Sequence, residues 1–258
     1  MNRKEMIKKH LLTCSVMCVL AFISGLFICG KTDTKKVARH TAEYKFIYAK
    51  NDLSNDFSFA DEAMPVNDKS ISRKLRKSLI KTSYSTVQSN ILQDESVKLF
   101  PVIEPILKAY GIPDDFKYMP LVEAGLKSGV SKRGAAGWWQ FMPGTARTYG
   151  LKVGHGRDER YNVRKSTIAA CKYIKELYGQ FNSWTLAAAA YNNGEIQLAR
   201  AIRQQSEDNY FRMHLNKETG SYVYKIIAMK QVIEQPQKYG YRRRFSSAIL
   251  PDNLIAVN

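Results

Sequence analysis

Residues 118–140 read YMPLVEAGLKSGVSKRGAAGWWQ. One carboxylate, Glu123, stands in an apolar run, with Met119, Pro120, Leu121 and Val122 before it and Ala124 and Leu126 after it. Burial disfavours the charged form of a carboxyl and raises its pKa. A carboxylic acid that keeps its proton near neutral pH can act as a general acid on a sugar–oxygen bond. A lone helix glutamate is ordinarily just a partly exposed polar residue, so the weight falls on its neighbours.

Ser131, the tight run Gly134-Ala135-Ala136-Gly137 and then Trp138-Trp139-Gln140 follow, with Ala190-Tyr191-Asn192-Asn193-Gly194 much later. Small residues let backbone approach a ligand closely. Indole faces stack on sugar rings, and Gln, Tyr and Asn offer groups that read hydroxyls and amides. In this order the motifs resemble the lytic transglycosylases of the goose-lysozyme-like (SLT) superfamily, of the membrane-bound murein transglycosylase D type. The resemblance spans roughly residues 95–241. It also takes in DERYNVRKSTIAACKYIKELY, WTLAAAAYNNGE and LNKETGSYVYKIIAMKQVIEQPQKYG.

The resemblance implies an all-α, lysozyme-like catalytic domain that acts on peptidoglycan glycan strands. Glu123 is implied as the catalytic residue: it protonates the bridging oxygen between N-acetylmuramic acid and N-acetylglucosamine. It then acts as base toward the muramyl C6 hydroxyl, which closes a 1,6-anhydro ring. The acetamido group of the substrate can stabilise the cationic centre, so no second carboxylate is required. Gln140 and Ser131 are implied to contact substrate. Tyr191 is implied to orient the glutamate or bond the sugar, and Asn192 to bind sugar or cap the following helix. If Trp138 and Trp139 are adjacent helix positions, one faces the cleft and the other the core. No metal or other cofactor is expected, since His10, His40, His155 and His214 lack metal-ligand spacing.

Two residues depart from the family pattern. Ala124 stands where a serine usually follows the acid, which removes a hydroxyl that could position it. Trp138 adds bulk at the Gly137-Trp138-Trp139-Gln140 turn. These departures motivate a non-catalytic wall-binding scaffold as an alternative. A hydrolysing muramidase of the same fold is another, with Asp158, Glu159 or Glu195 activating water. Those three read better as loop ion pairing and a helix N-terminal charge. LysM repeats often follow this domain in the family. Here residues 242–258 follow it, so wall affinity is expected to come from the domain, its charge or partners.

The chain has 258 residues, of which 45% are hydrophobic, enough for a packed core. Residues 11–30 carry no charge and are preceded by Arg3, Lys4, Lys8 and Lys9. That pattern is a membrane-targeting segment with a basic flank, either a signal peptide or a signal anchor. Cys29 could carry a lipid, although Ile28 makes a poor lipid-attachment context. Either way the remainder is expected on the periplasmic side of the cell envelope. Cys171 is the only cysteine beyond that segment, so no disulfide is expected there.

Forty Lys and Arg against 23 acids give a net charge of +17. The basic residues are dispersed and accompany no nucleic-acid-binding pattern, so an anionic wall or lipid surface fits better than nucleic acid. Residues 31–90 are polar and read as a stalk with local helix near residues 70–88. An extension packed on the domain is the alternative, motivated by Tyr44, Phe46, Tyr48, Phe57 and Phe59. Residues 91–241 form the catalytic domain and 242–258 a basic tail. Helical spacing is expected over 97–110 with a stop at Gly111, and from Pro113 through Glu123. Further helices are expected over 135–149, 166–181, 184–191, 195–203 and 221–234.

Overall fold

In a computed structural model, residues 57–125, 129–154 and 156–241 are described. Residues 11–30, Cys29 and the basic tail lie outside them. The described chain is helical apart from two small antiparallel hairpins. The first pairs β1 (Ser58–Phe59) with β2 (Glu62–Ala63). The second pairs β3 (Val153–Gly154) with β4 (Arg157–Asp158).

Part of the segment read as a stalk is packed. Helix α1 (Lys69–Thr82) starts at Asp68, whose carboxylate accepts from the amides of Ser70 (2.7 Å) and Ile71 (3.1 Å). Its apolar stripe, Ile71, Leu75 and Leu79, joins the core against the late helix α9 (Tyr222–Glu234), while Lys74, Lys77 and Lys81 stay outside. Phe57 and Phe59 are buried, and the Phe59 ring lies 5.0 Å from that of Phe116. From residue 57 these side chains belong to the same buried core as the later helices. Charged residues on one helix face concealed its apolar stripe.

After the short helix α2 (Tyr84–Val87), helix α3 (Ile91–Tyr110) ends at Gly111, which takes the left-handed conformation at φ 67°. Pro101 and Pro105 lie inside it. Being four residues apart they share one exposed face, where water can solvate the carbonyls they leave without an N–H partner. A 3₁₀ turn (Asp114–Tyr118) leads into the short helix α4 (Met119–Glu123), of which Glu123 is the last residue.

The expected helix over 135–149 is much shorter. Only α5 (Pro143–Thr148) forms, with Pro143 as its opening residue. Residues 130–141 fold back as bridges from Ala136 to Val130 and to Phe141. Gly137 takes φ 77°, and a Cβ there would lie 2.0 Å from the Arg160 carbonyl oxygen. Only glycine fits. Trp139 is consequently not a helix residue. It is fully buried, and its indole N–H donates to Thr167 Oγ1 (2.9 Å).

Helices α6 (Val163–Phe181), α7 (Trp184–Asn193) and α8 (Glu195–Gln205) follow as read. Helix α7 carries the almost wholly apolar Ala187-Ala188-Ala189-Ala190 run through the core. Its N-terminal amides are held from a distance: Glu62 accepts from the amides of Trp184 (2.5 Å) and Thr185 (3.0 Å) and from Ser183 Oγ (2.8 Å). A carboxylate at that end satisfies orphan donors and complements the helix dipole.

Candidate active site

Glu123 sits where α4 stops, with Leu121 buried just before it. Its side chain remains partly open to solvent, yet protein surrounds the carboxyl. Burial pushes its pKa up to about 7, against a lowering from a hydrogen bond that the Tyr222 hydroxyl donates to Oε1. The charge of Glu218 raises it further, and that of Lys225 lowers it. A carboxyl poised near neutrality can both give and take a proton.

Tyr222, which motif reading did not single out, is the residue that bonds Glu123. It opens α9, is 2% exposed, and has a pKa far above the ordinary value through burial and then the neighbouring Glu123 charge. Its position was marked only by a tyrosine at the head of the apolar run VYKIIAMKQVI. A single aromatic before a hydrophobic helix is ordinary core material.

The Tyr191 hydroxyl is engaged by the loop and not by Glu123. It donates to the Trp139 carbonyl (2.8 Å), and the ring packs against Phe141 and Tyr173. Burial drives its pKa well up, with the charge of Glu123 second. It therefore lies in the field of the acid, but Tyr222 makes the bond to it. Tyr191 ties α7 to the turn that presents Gln140.

Gln140 and Ser131 lie on that same loop and shape it. Gln140 takes φ 46°, and its side-chain amide donates to the carbonyls of Gly137 (2.7 Å) and Gly129 (3.0 Å). Among the described residues none donates to its Oε1, which can accept from a ligand. Ser131 is exposed, and its Oγ accepts from the Ala135 amide (3.0 Å). Trp138 is half-buried, so of the adjacent indoles it alone reaches the surface. Asn192 does not cap α8, whose N-cap is Gly194; it accepts from Thr219 Oγ1 (3.1 Å). Thr219 lies just ahead of Tyr222, so Asn192 braces the start of α9.

A buried arginine holds the loop in place. Arg160 Nη1 donates to the carbonyls of Gly134 (2.7 Å) and Phe141 (2.9 Å), while its other nitrogens bond Asp158. Asp158 is held below the usual carboxylate range by this pairing. Glu159 is pushed down to about 2, chiefly by the hydrogen bond from Lys165. Glu195 begins α8 and accepts from Tyr173 Oη (3.2 Å). All three carboxylates are thus engaged structurally.

A helical domain with a proton-holding acid at the end of a short helix fits a lysozyme-like class. Residues 105–213 match the family model described as "Transglycosylase SLT domain". The chain is 31% identical over 188 residues to the "Membrane-bound lytic murein transglycosylase D" of Escherichia coli (strain K12), covering 69% of this chain and 40% of that protein. It is 43% identical over 70 residues to the "Peptidoglycan transglycosylase gp16" of Escherichia phage T7, covering 26% of this chain and 5% of that protein. The chain belongs to the SLT transglycosylase superfamily. It spans about two fifths of the length of the E. coli relative. Tyr222 and α1 lie beyond the residues that the family model matches.

Proposed function

We propose that this protein is a peptidoglycan lytic transglycosylase with Glu123 as its sole acid and base. The observation that carries the reading is the Glu123 carboxyl, raised to about 7 and accepting the Tyr222 hydroxyl. The names of the similar proteins support the substrate. Glu123 gives its proton to the bridging oxygen as the muramyl C1–O bond breaks, and N-acetylglucosamine leaves as the alcohol. The acetamido oxygen of the substrate supports the positive C1. The Glu123 carboxylate, steadied by Tyr222, then takes the C6 hydroxyl proton while O6 bonds C1. Glu123 ends protonated, and no water is consumed. Gln140 Oε1 and Ser131 would bind sugar groups from the loop, with Trp138 beside them. Tyr191 and Asn192 would keep the loop and α9 in register with the acid.

Digestion of purified sacculi followed by mass analysis of the muropeptides tests this. Products ending in 1,6-anhydromuramic acid, each one water lighter than a hydrolysis product, are expected, and reducing ends alone would sink the reading. The hydrolytic alternative has one point in its favour, the charge of Glu218 reaching Glu123. It would require reducing-end products that disappear in Glu218→Gln. A scaffold would release nothing, with Glu123→Gln indistinguishable from the wild type.

The same reading puts the domain on the periplasmic side of the envelope, held by residues 11–30 or by a lipid on Cys29. Among the described residues, no helix is long and apolar enough to cross a membrane. The intact mass of the mature chain distinguishes a retained N-terminus, an acylated Cys29 and release. The full unmodified chain in the cytoplasm would refute export.

A further inference from the structure

A groove of about 460 Å³ opens beside the acid, between α1, α9 and the turn that precedes α9. Leu121, Val122 and Gly125, which bracket Glu123 in sequence, form part of its wall, as does Ser221 next to Tyr222. Five exposed lysines line it: Lys74, Lys77 and Lys81 from α1, Lys217 from the turn and Lys225 from α9. None of them forms a salt bridge among the described residues, and no carboxylate lines the groove. Elsewhere on the domain Lys98, Lys117, Lys165 and Lys230 are each paired with an acid.

Five like charges around one concavity repel one another. The Tyr224 ring and the field of Asp68 partly offset Lys74, and Glu123 partly offsets Lys225. An anion bound in the groove would relieve the rest. Apolar walls between the lysines lower the local dielectric and strengthen the attraction. Lys77 and Lys81 lie four residues apart on one helix face, and Lys74 precedes Lys77 by three, so all three point the same way. The spacing suits an extended ligand carrying several separated carboxylates better than a single small ion.

We propose that this groove binds the carboxylate-bearing peptide substituents of the glycan, so that the protein selects peptide-substituted strands over bare ones. The proposal rests on the peptidoglycan reading given above. A peptide joined to the muramyl lactyl group is tethered to the sugar whose glycosidic oxygen Glu123 protonates, and the groove begins on the residues flanking that acid. Tethering makes the second contact intramolecular, so modest ion pairing yields a large gain in affinity.

Binding tests this without relying on turnover. The full chain carrying Glu123→Gln is titrated with peptide-bearing glycan fragments and with the same fragments stripped of peptide by an amidase. The substituted fragments are expected to bind at least about tenfold tighter, with the advantage shrinking as salt rises. The triple variant Lys77→Gln, Lys81→Gln, Lys217→Gln, added to Glu123→Gln, is expected to bind both fragments alike. Equal affinity for the two fragments overturns the proposal, as does an advantage that survives in the triple variant or in high salt. Anionic lipid vesicles that compete with the substituted fragments for the groove would reassign it to a membrane surface and also overturn the proposal. If wild-type protein cleaves sacculi while the two fragments bind equally, only this proposal falls. If substituted fragments bind tighter but no anhydro product forms, the transglycosylase reading falls and the groove stands. Binding of neither fragment overturns both.

Discussion

At the scale of single residues the chemistry depends on how Glu123 is solvated. Its folded pKa of about 7 stands above the ordinary 4.5. Between those values the folded chain keeps a proton that the unfolded chain has released, so this group makes stability fall as pH rises through that window. Glu123→Gln retains an acceptor for Tyr222 and has no charge to desolvate. It should be stabilised relative to wild type by up to about 3 kcal/mol near pH 8 and by nothing near pH 4. Urea unfolding at the two pH values measures this, and an equal gain at both would contradict the assignment. Tyr222→Phe works in the other direction. Losing a hydrogen bond to a charged acceptor, worth about 1.5–3 kcal/mol, should raise the pKa of the acid by about one to two units. The alkaline limb of kcat/KM should move up accordingly, with a lower maximal rate because the base of the second step is no longer steadied. A rate lowered at every pH with the limb unmoved would leave Tyr222 a packing role only. Glu123 was legible in the sequence because an acid in an apolar run is anomalous. Tyr222 was not, because its bond to Glu123 joins residues 99 apart and a tyrosine before a hydrophobic helix is unremarkable.

At the scale of elements, helices with a full apolar stripe and a clear stop matched their sequence signals closely. Helix α3 ends at Gly111, α6 runs to Phe181, and α9 ends where Gln235 and Pro236 interrupt it. The loop over 129–142 did not match. GAAGWWQFM suits helix by composition, but the two glycines take φ 87° and 77°, and Gln140 takes 46°. Tertiary contacts override local propensity there, because Arg160 captures the carbonyls of Gly134 and Phe141 that a helix would have used internally. Gly137→Ala tests how rigidly this is fixed. Its methyl would meet backbone, the Arg160 carbonyl carbon at 2.7 Å as well as the oxygen, and would also occupy a left-handed conformation. A loss of about 2–4 kcal/mol is expected from clash and strain together. Activity should fall further than stability, because the displaced turn carries Gln140. Thermal unfolding and the rate of sacculus digestion measure the two effects separately. A variant as stable and as active as wild type would mean that the loop is plastic.

At the scale of the whole molecule, the packing of residues 57–87 decides where the folding unit begins. Polar composition pointed to a spacer ahead of residue 91, since most of its residues are charged or small and polar. The apolar minority carries the structure: Phe57, Phe59, Met64, Val66, Ile71, Leu75 and Leu79 are all buried in the common core. Each contributes about 1.5–3 kcal/mol when buried, against a net stability of about 5–15 kcal/mol for an entire domain. The segment also supplies Glu62, whose carboxylate caps the central helix α7, and Lys74, Lys77 and Lys81 of the groove. Asp115 links it to the rest again, accepting from the Ala60 amide (2.8 Å) and from Lys230 Nζ (2.8 Å) on α9. A chain beginning at residue 91 would strip the inner face of α9, and α9 opens with the tyrosine that bonds Glu123. That chain is expected to aggregate or to remain without a cooperative unfolding transition. Calorimetry on this chain and on one beginning at residue 57, with sacculus digestion alongside, measures this. If the chain from residue 91 unfolds at the same temperature as the longer one and releases muropeptides at the same rate, α1 is an accessory and the folding unit begins at α3.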